Sequence, residues 1–166
     1  QNRPPKKHFG LTFEGTSRSL KYAFFVTLSL CLLIILVKYV LLKSGFNFSN
    51  DRVFSMTMGN QVNYLTIKYW VIIFVYSIIT FPQELTTRGF LQSSFDILLE
   101  NKHPWLAIVL SNFIFMTVHV SLMGYFQSFL IFIVGLAWGW MYSKQKNLIG
   151  VTLSHIVVGV FGLFFV

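Results

Sequence analysis

The sequence predicts an all-α fold, a polytopic transmembrane helical bundle of about five membrane spans, and three observations predict it. The chain is 55% hydrophobic and only 11% charged, whereas a soluble domain carries about 25% charged residues. Its apolar residues gather into runs long enough to cross a bilayer as helices. Basic residues cluster at the N-terminal end and in short connections between those runs, the distribution that sets membrane topology. A formal net charge of +8 therefore reads as orientation rather than nucleic-acid binding. No platform of interleaved aromatic and basic residues, of the kind single strands need, lies outside the apolar runs. With one cysteine, Cys31, no internal disulfide can form.

Residues 1–18 are polar and basic and read as a juxtamembrane segment. They contain neither an initiator Met nor a cleavable signal peptide, and the chain stops at Val166 inside an apolar run. Both ends read as cut from something longer, which leaves room for a soluble domain upstream. Residues 19–42 form the first span, about 36 Å as a helix, with Lys38 and Lys43 near its far end. Residues 44–65 are polar and form a loop that could hold a short interfacial helix. The units are thus 1–18, a basic segment; 19–65, the first transmembrane helix and loop; and 66–166, a four-helix core.

The second span covers 66–95, longer than the hydrocarbon core requires. Pro82 cannot donate to the carbonyl of Ile78, so a kink or a water-accepting carbonyl is expected one turn before Glu84. Pro104 and Trp105 open the third span, which runs to 119–122, and Gly124 marks a tight turn. The fourth span is 125–142, where Gly135 and Gly139 at i, i+4 offer a close-packing face. The fifth is 148–166. Five spans put Arg3, Lys6, Lys7, Arg18, Lys21, Lys102, Lys144 and Lys146 on one side, against chiefly Lys43 and Arg52 on the other. The expected location is an integral multi-pass membrane protein with its N-terminal segment cytoplasmic.

Ionisable residues inside these spans need a reason. Glu84 and Arg88, at i, i+4, share a helix face and can pair. A charge near the bilayer centre costs on the order of 2.5–3.5 kcal/mol on insertion scales. The pair is therefore either functional or a structural lock between helices. His119 and His155 also interrupt apolar helices, and each alone is as compatible with hydrogen-bonded packing. Depth links them: counted from the same membrane side, Glu84 lies about 16 Å in, His119 about 21 Å and His155 about 10 Å, and boundary error of about 3–6 Å makes these overlap. One carboxylate and two imidazoles in a common cavity could polarise a water for attack on a carbonyl and stabilise the oxyanion. Alternatively, Glu84, His119 and His155 could bind a divalent metal such as zinc. No His-Glu-x-x-His motif is present, so no cofactor is required by the first reading.

In these blocks the chain resembles the type II CAAX prenyl protease and bacteriocin-processing intramembrane protease family, also called the abortive-infection family. Its pattern is Glu-Glu-x-x-x-Arg on one membrane helix, Phe-x-x-x-His on the next, and His-x-x-x-Asn or Asp on a later one. Gln83-Glu84-Leu85-Thr86-Thr87-Arg88, Phe115-Met116-Thr117-Val118-His119 and His155-Ile156-Val157-Val158-Gly159 take those places in order. The resemblance implies a helical membrane core and an endopeptidase in which Glu84 and His119 activate a water, His155 holds the oxyanion and Arg88 orients Glu84. Membrane lipid and a membrane-associated peptide or lipidated protein would be its partners.

Two positions depart from the pattern. Gln83 stands where the first glutamate is expected, and an amide is no general base near neutral pH. Gly159 replaces the final Asn or Asp; Asn112, two turns before His119, is a candidate substitute donor. These departures support the alternative of a catalytically impaired pseudoprotease, acting as a membrane peptide-binding, bacteriocin-immunity or regulatory protein.

Overall fold

In a bilayer every backbone polar group must be satisfied within the protein, which leaves helices as the economical solution for apolar runs of this length. The computed structural model of the chain describes residues 9–45 and 67–164. The expected 44–65 loop lies almost wholly outside them. The apolar run after the basic segment forms α1, Thr16–Lys43. It is followed by α2, Ile67–Glu84, by a π-helical segment, Leu85–Gln92, and by α3, Ser93–Leu98. Then come α4, Pro104–Gln145, and α5, Leu148–Phe164. Among the described residues three stretches are long and apolar enough to cross a membrane, Thr16–Leu41, Ile67–Leu98 and Pro104–Gln145; Leu148–Gly162 is a shorter apolar helix. No strand occurs among the described residues.

Two local features differ from the simplest reading. Helix α2 continues through Pro82, whose ring lies on an exposed face, and the change of winding comes after Glu84 rather than before it. From Leu85 the chain takes the wider i→i+5 winding, a form that occurs most often at functional sites. In that winding Arg88 and Gln92 both face α4, as their bonds to it show. The second feature is Gly124, at φ 80° and ψ 172°, a conformation that an L residue with a Cβ rarely adopts. It reverses the chain inside α4, so that 104–123 and 125–145 lie side by side. A Cβ at Gly139 would fall 2.7 Å from Ile108, and one at Gly135 would collide with Asn112. The expected turn and the expected close-packing face are both present.

The apolar core joins α1, the second half of α4 and α5 through Ala23, Leu30, Trp138, Met141, Leu148, Val151 and Val158. Ser154 links all three elements: Thr27 donates to Ser154 Oγ at 2.8 Å, and Trp138 Nε1 donates to the same oxygen at 3.0 Å. The outward faces carry Phe24, Phe25, Leu32, Phe74, Ile78, Phe113 and Val118, all exposed, as lipid-facing helices require. One end of the bundle collects three connections. Leu148 N–H donates to Gly10 O at 3.2 Å, Asn147 Nδ2 donates to Thr12 O and Glu14 O, and Lys146 pairs with Asp96 at 2.5 Å. The segment before α1, the end of α3 and the α4–α5 turn therefore share one side, with two helical passes between each and the next.

Candidate active site

Glu84 ends the buried face of α2, which runs through Tyr69 and Thr80. Its carboxylate is wholly buried, and two cationic or donor groups meet it there. On the Oε2 side Arg88 Nε lies 3.3 Å away with both side chains 0% exposed. On the other, His155 Nδ1 lies 2.6 Å from Oε1. A carboxylate oxygen only accepts, so His155 carries its proton on Nδ1. The pair predicted from local spacing is thus real, and its third member comes from α5.

Arg88 is held beyond that carboxylate. Its Nη2 donates to Gly135 O at 3.1 Å, and its guanidinium lies over the Phe115 ring, 6.0 Å from the centroid. One turn on, Gln92 Nε2 donates to Gly139 O at 2.9 Å. Two residues four apart on one strand of the bundle thus grip two glycine carbonyls four apart on another. Only residues without a side chain leave those carbonyls approachable, since a Cβ at Gly135 would also stand 3.3 Å from Arg88 Nη2.

The two histidines are brought to one place by Phe115. Its ring centroid is 4.3 Å from that of His119 and 6.2 Å from that of His155. Trp138 stacks on the other face of His155 at 4.1 Å and 23°, and Tyr76 approaches its edge at 6.2 Å. His119 Nδ1 bonds the Phe115 carbonyl on its own helix at 2.8 Å. A carbonyl accepts, so Nδ1 is the protonated nitrogen and Nε2 of His119 carries a lone pair.

The sequence reading has Glu84 and His119 activating one water and His155 on the oxyanion. The hydrogen bond to Glu84 comes from His155, and no hydrogen bond joins Glu84 to His119 among the described residues. Gln83 is half-buried and forms no hydrogen bond with the other site residues. Asn112, fully buried, donates one Nδ2 hydrogen to Ile108 O of its own helix at 2.8 Å. No three His, Cys, Asp or Glu side chains gather as a metal site among the described residues.

Several contributors were not singled out from the sequence. Trp138 and Tyr76 flank His155, and aromatic residues are too common in membrane helices to signal this. Gln92 had a usable signal, a buried-type polar residue four after Arg88, matched by the glycine pair four apart. Chemically the site offers a buried carboxylate whose Oε2 lacks an aligned hydrogen bond and an imidazole with a free lone pair. Those are the elements of a proton acceptor sealed from lipid.

No curated protein and no solved structure matches the chain. Residues 65–161 match the family described as "Type II CAAX prenyl endopeptidase Rce1-like". That match covers more than half of the 166 residues and includes Glu84, Arg88, His119 and His155. The chain belongs to that family, and with it to the CAAX-type intramembrane proteases.

Proposed function

We propose that this protein is a membrane-embedded endopeptidase that hydrolyses a peptide bond near the cytoplasmic leaflet, in a membrane-associated peptide or lipidated protein, using a carboxylate-activated water. The observation that carries the reading is the buried Glu84 carboxylate, held by His155 at 2.6 Å and Arg88 at 3.3 Å. A carboxylate costly to bury is kept ionised and aimed, and one of its oxygens still has acceptor capacity. In this reading the water donates one hydrogen to Glu84 Oε2 and the other to His119 Nε2. Its oxygen adds to the carbonyl carbon, the carbonyl π pair moves to oxygen, and Glu84 takes the proton. Collapse of the tetrahedral intermediate breaks the C–N bond, and the Glu84 proton passes to the departing amine.

His155 and Arg88 act here as positioning residues that fix the rotamer of Glu84. Phe115 spaces the two imidazoles and covers Arg88. No cofactor enters this chemistry. The N-terminal segment is cytoplasmic on the basic-residue count, which puts the end of the bundle holding Asp96 and Lys146 on the cytoplasmic side.

A second reading, a pseudoprotease that binds a membrane peptide without cleaving it, is favoured by Gln83 in place of a glutamate. A cleavage assay in liposomes with a farnesylated peptide ending in a CAAX sequence separates the two. The parent chain is expected to cleave and Glu84→Gln to be inactive. Cleavage by Gln83→Glu but not by the parent would establish the second reading.

A further inference from the structure

Several donors of the site are already committed to protein acceptors. The His155 N–H is engaged by Glu84, that of His119 by the Phe115 carbonyl, and one of the two Asn112 Nδ2 hydrogens by Ile108 O. Arg88, 0% exposed, pairs with Glu84 and donates through Nη2 to Gly135 O, while its Nη1 is buried without a hydrogen-bond partner. Residue 159, one turn after His155, is a glycine and brings no side chain.

Tyr76 brings a further, neutral donor beside His155. It lies two turns before Glu84 on α2, on the face that carries Thr80 and Glu84, and its ring meets the edge of His155 at 6.2 Å and 74°. A Cβ built at Gly159 would fall on the Tyr76 hydroxyl itself, with the ring carbons Cζ and Cε1 next nearest at 2.5 and 2.8 Å. The phenol thus occupies the volume into which any side chain at 159 would project. A phenol is a neutral O–H donor that needs no counter-ion in an apolar site.

We infer that Tyr76 is a further catalytic residue, whose hydroxyl donates a hydrogen bond to the oxyanion of the tetrahedral intermediate from the space that Gly159 leaves open. The inference rests on the proposed hydrolytic reading. Tyr76 transfers no proton; its O–H is closer to the carbonyl oxygen once that oxygen bears the negative charge, and it accelerates the step by that difference.

The test uses Tyr76→Phe, which keeps the ring against His155 and Gly159 and removes only the hydroxyl. With the farnesylated CAAX peptide, kcat is expected to fall about 100- to 1000-fold, the cost typical of one oxyanion donor, with KM little changed. A second measurement does not require turnover. The corresponding peptide aldehyde, whose hydrate mimics the tetrahedral intermediate, should bind the parent more tightly than a peptide with a reduced CH2–NH bond. Tyr76→Phe should abolish that preference while binding the reduced peptide as the parent does. Tyr76→Ala combined with Gly159→Asn should regain activity over Tyr76→Ala alone, because an amide can then enter the vacated volume.

Unchanged kcat and aldehyde preference in Tyr76→Phe would overturn the assignment. So would a parent chain that binds the aldehyde no better than the reduced peptide. Glu84→Gln, run in parallel, separates the two claims: full activity there defeats the water mechanism, while an intact aldehyde preference in that variant leaves the role of Tyr76 standing.

Discussion

His155 Nδ1 donates to Glu84 Oε1 at 2.6 Å across the α2–α5 contact. Two side chains 71 residues apart in sequence are thereby made one buried unit. If that unit orients the base, Glu84→Gln should lower turnover by about 100- to 10,000-fold, the range for a positioned general base. His155→Ala should lower it as well, and the double variant should be no worse than Glu84→Gln alone. Steady-state cleavage by the three variants, combined as a double-mutant cycle, measures the coupling. Independent, multiplying effects would show that His155 acts elsewhere.

Arg88 is the only cation in contact with that buried carboxylate among the described residues, apart from the histidine. Removing it leaves a charge without its partner, and loss of one member of a buried pair typically costs about 3–5 kcal/mol. Arg88→Ala should therefore lose both folding yield and thermal stability in detergent. Arg88→Lys should recover only part of either, since an ammonium is a point charge and lacks the planar fork that spans Glu84 and Gly135 O together. Wild-type melting of Arg88→Ala would place the pair in water.

Gly135 is tight for a different reason: the Asn112 side chain already fills the space above it. Gly135→Ala should destabilise by about 1–3 kcal/mol, as overpacking of a close-packed site does. Asn112→Ala should relieve most of that loss in the double variant, because the colliding atoms are gone. Thermal denaturation of the four proteins reads this directly, and no relief would mean that the two halves of α4 do not lie against each other here.

Orientation is tested on a Cys31→Ser background with single cysteines at Lys102 and Lys144. Both should be shielded from a membrane-impermeant thiol reagent in intact cells and become reactive after permeabilisation. Labelling of either in intact cells would reverse the topology.

Chelation probes the metal alternative. In the water mechanism EDTA or phenanthroline should leave the rate unchanged, because protein side chains hold the nucleophile. Loss of activity restored by zinc would reassign Glu84, His119 and His155 as ligands.

The local parts of this architecture were legible before any coordinates. Helix periodicity made Glu84 and Arg88 neighbours, and the i, i+4 spacing of Gly135 and Gly139 announced a close approach. Gly124 announced the turn, since a positive φ suits glycine best. Counting rise per residue put one carboxylate and two histidines at overlapping depths. Pro82 marked the neighbourhood of a backbone irregularity, and the π winding begins three residues on, at Leu85. A missing N–H removes one hydrogen bond but does not say which turn will widen, and here contacts to α4 decide that.

What the sequence by itself determined is everything that depends on neighbours along one helix: the membrane class, the Glu84–Arg88 pair, the small-residue face and the turn between the halves of α4. Only the tertiary structure decided which imidazole reaches Glu84, that Asn112 bonds its own helix, and that Tyr76 stands over Gly159. Those contacts depend on how far each helix is rotated about its axis and how closely it approaches its neighbour. A depth uncertain by about 3–6 Å exceeds the few tenths of an ångström within which a hydrogen bond is made or lost.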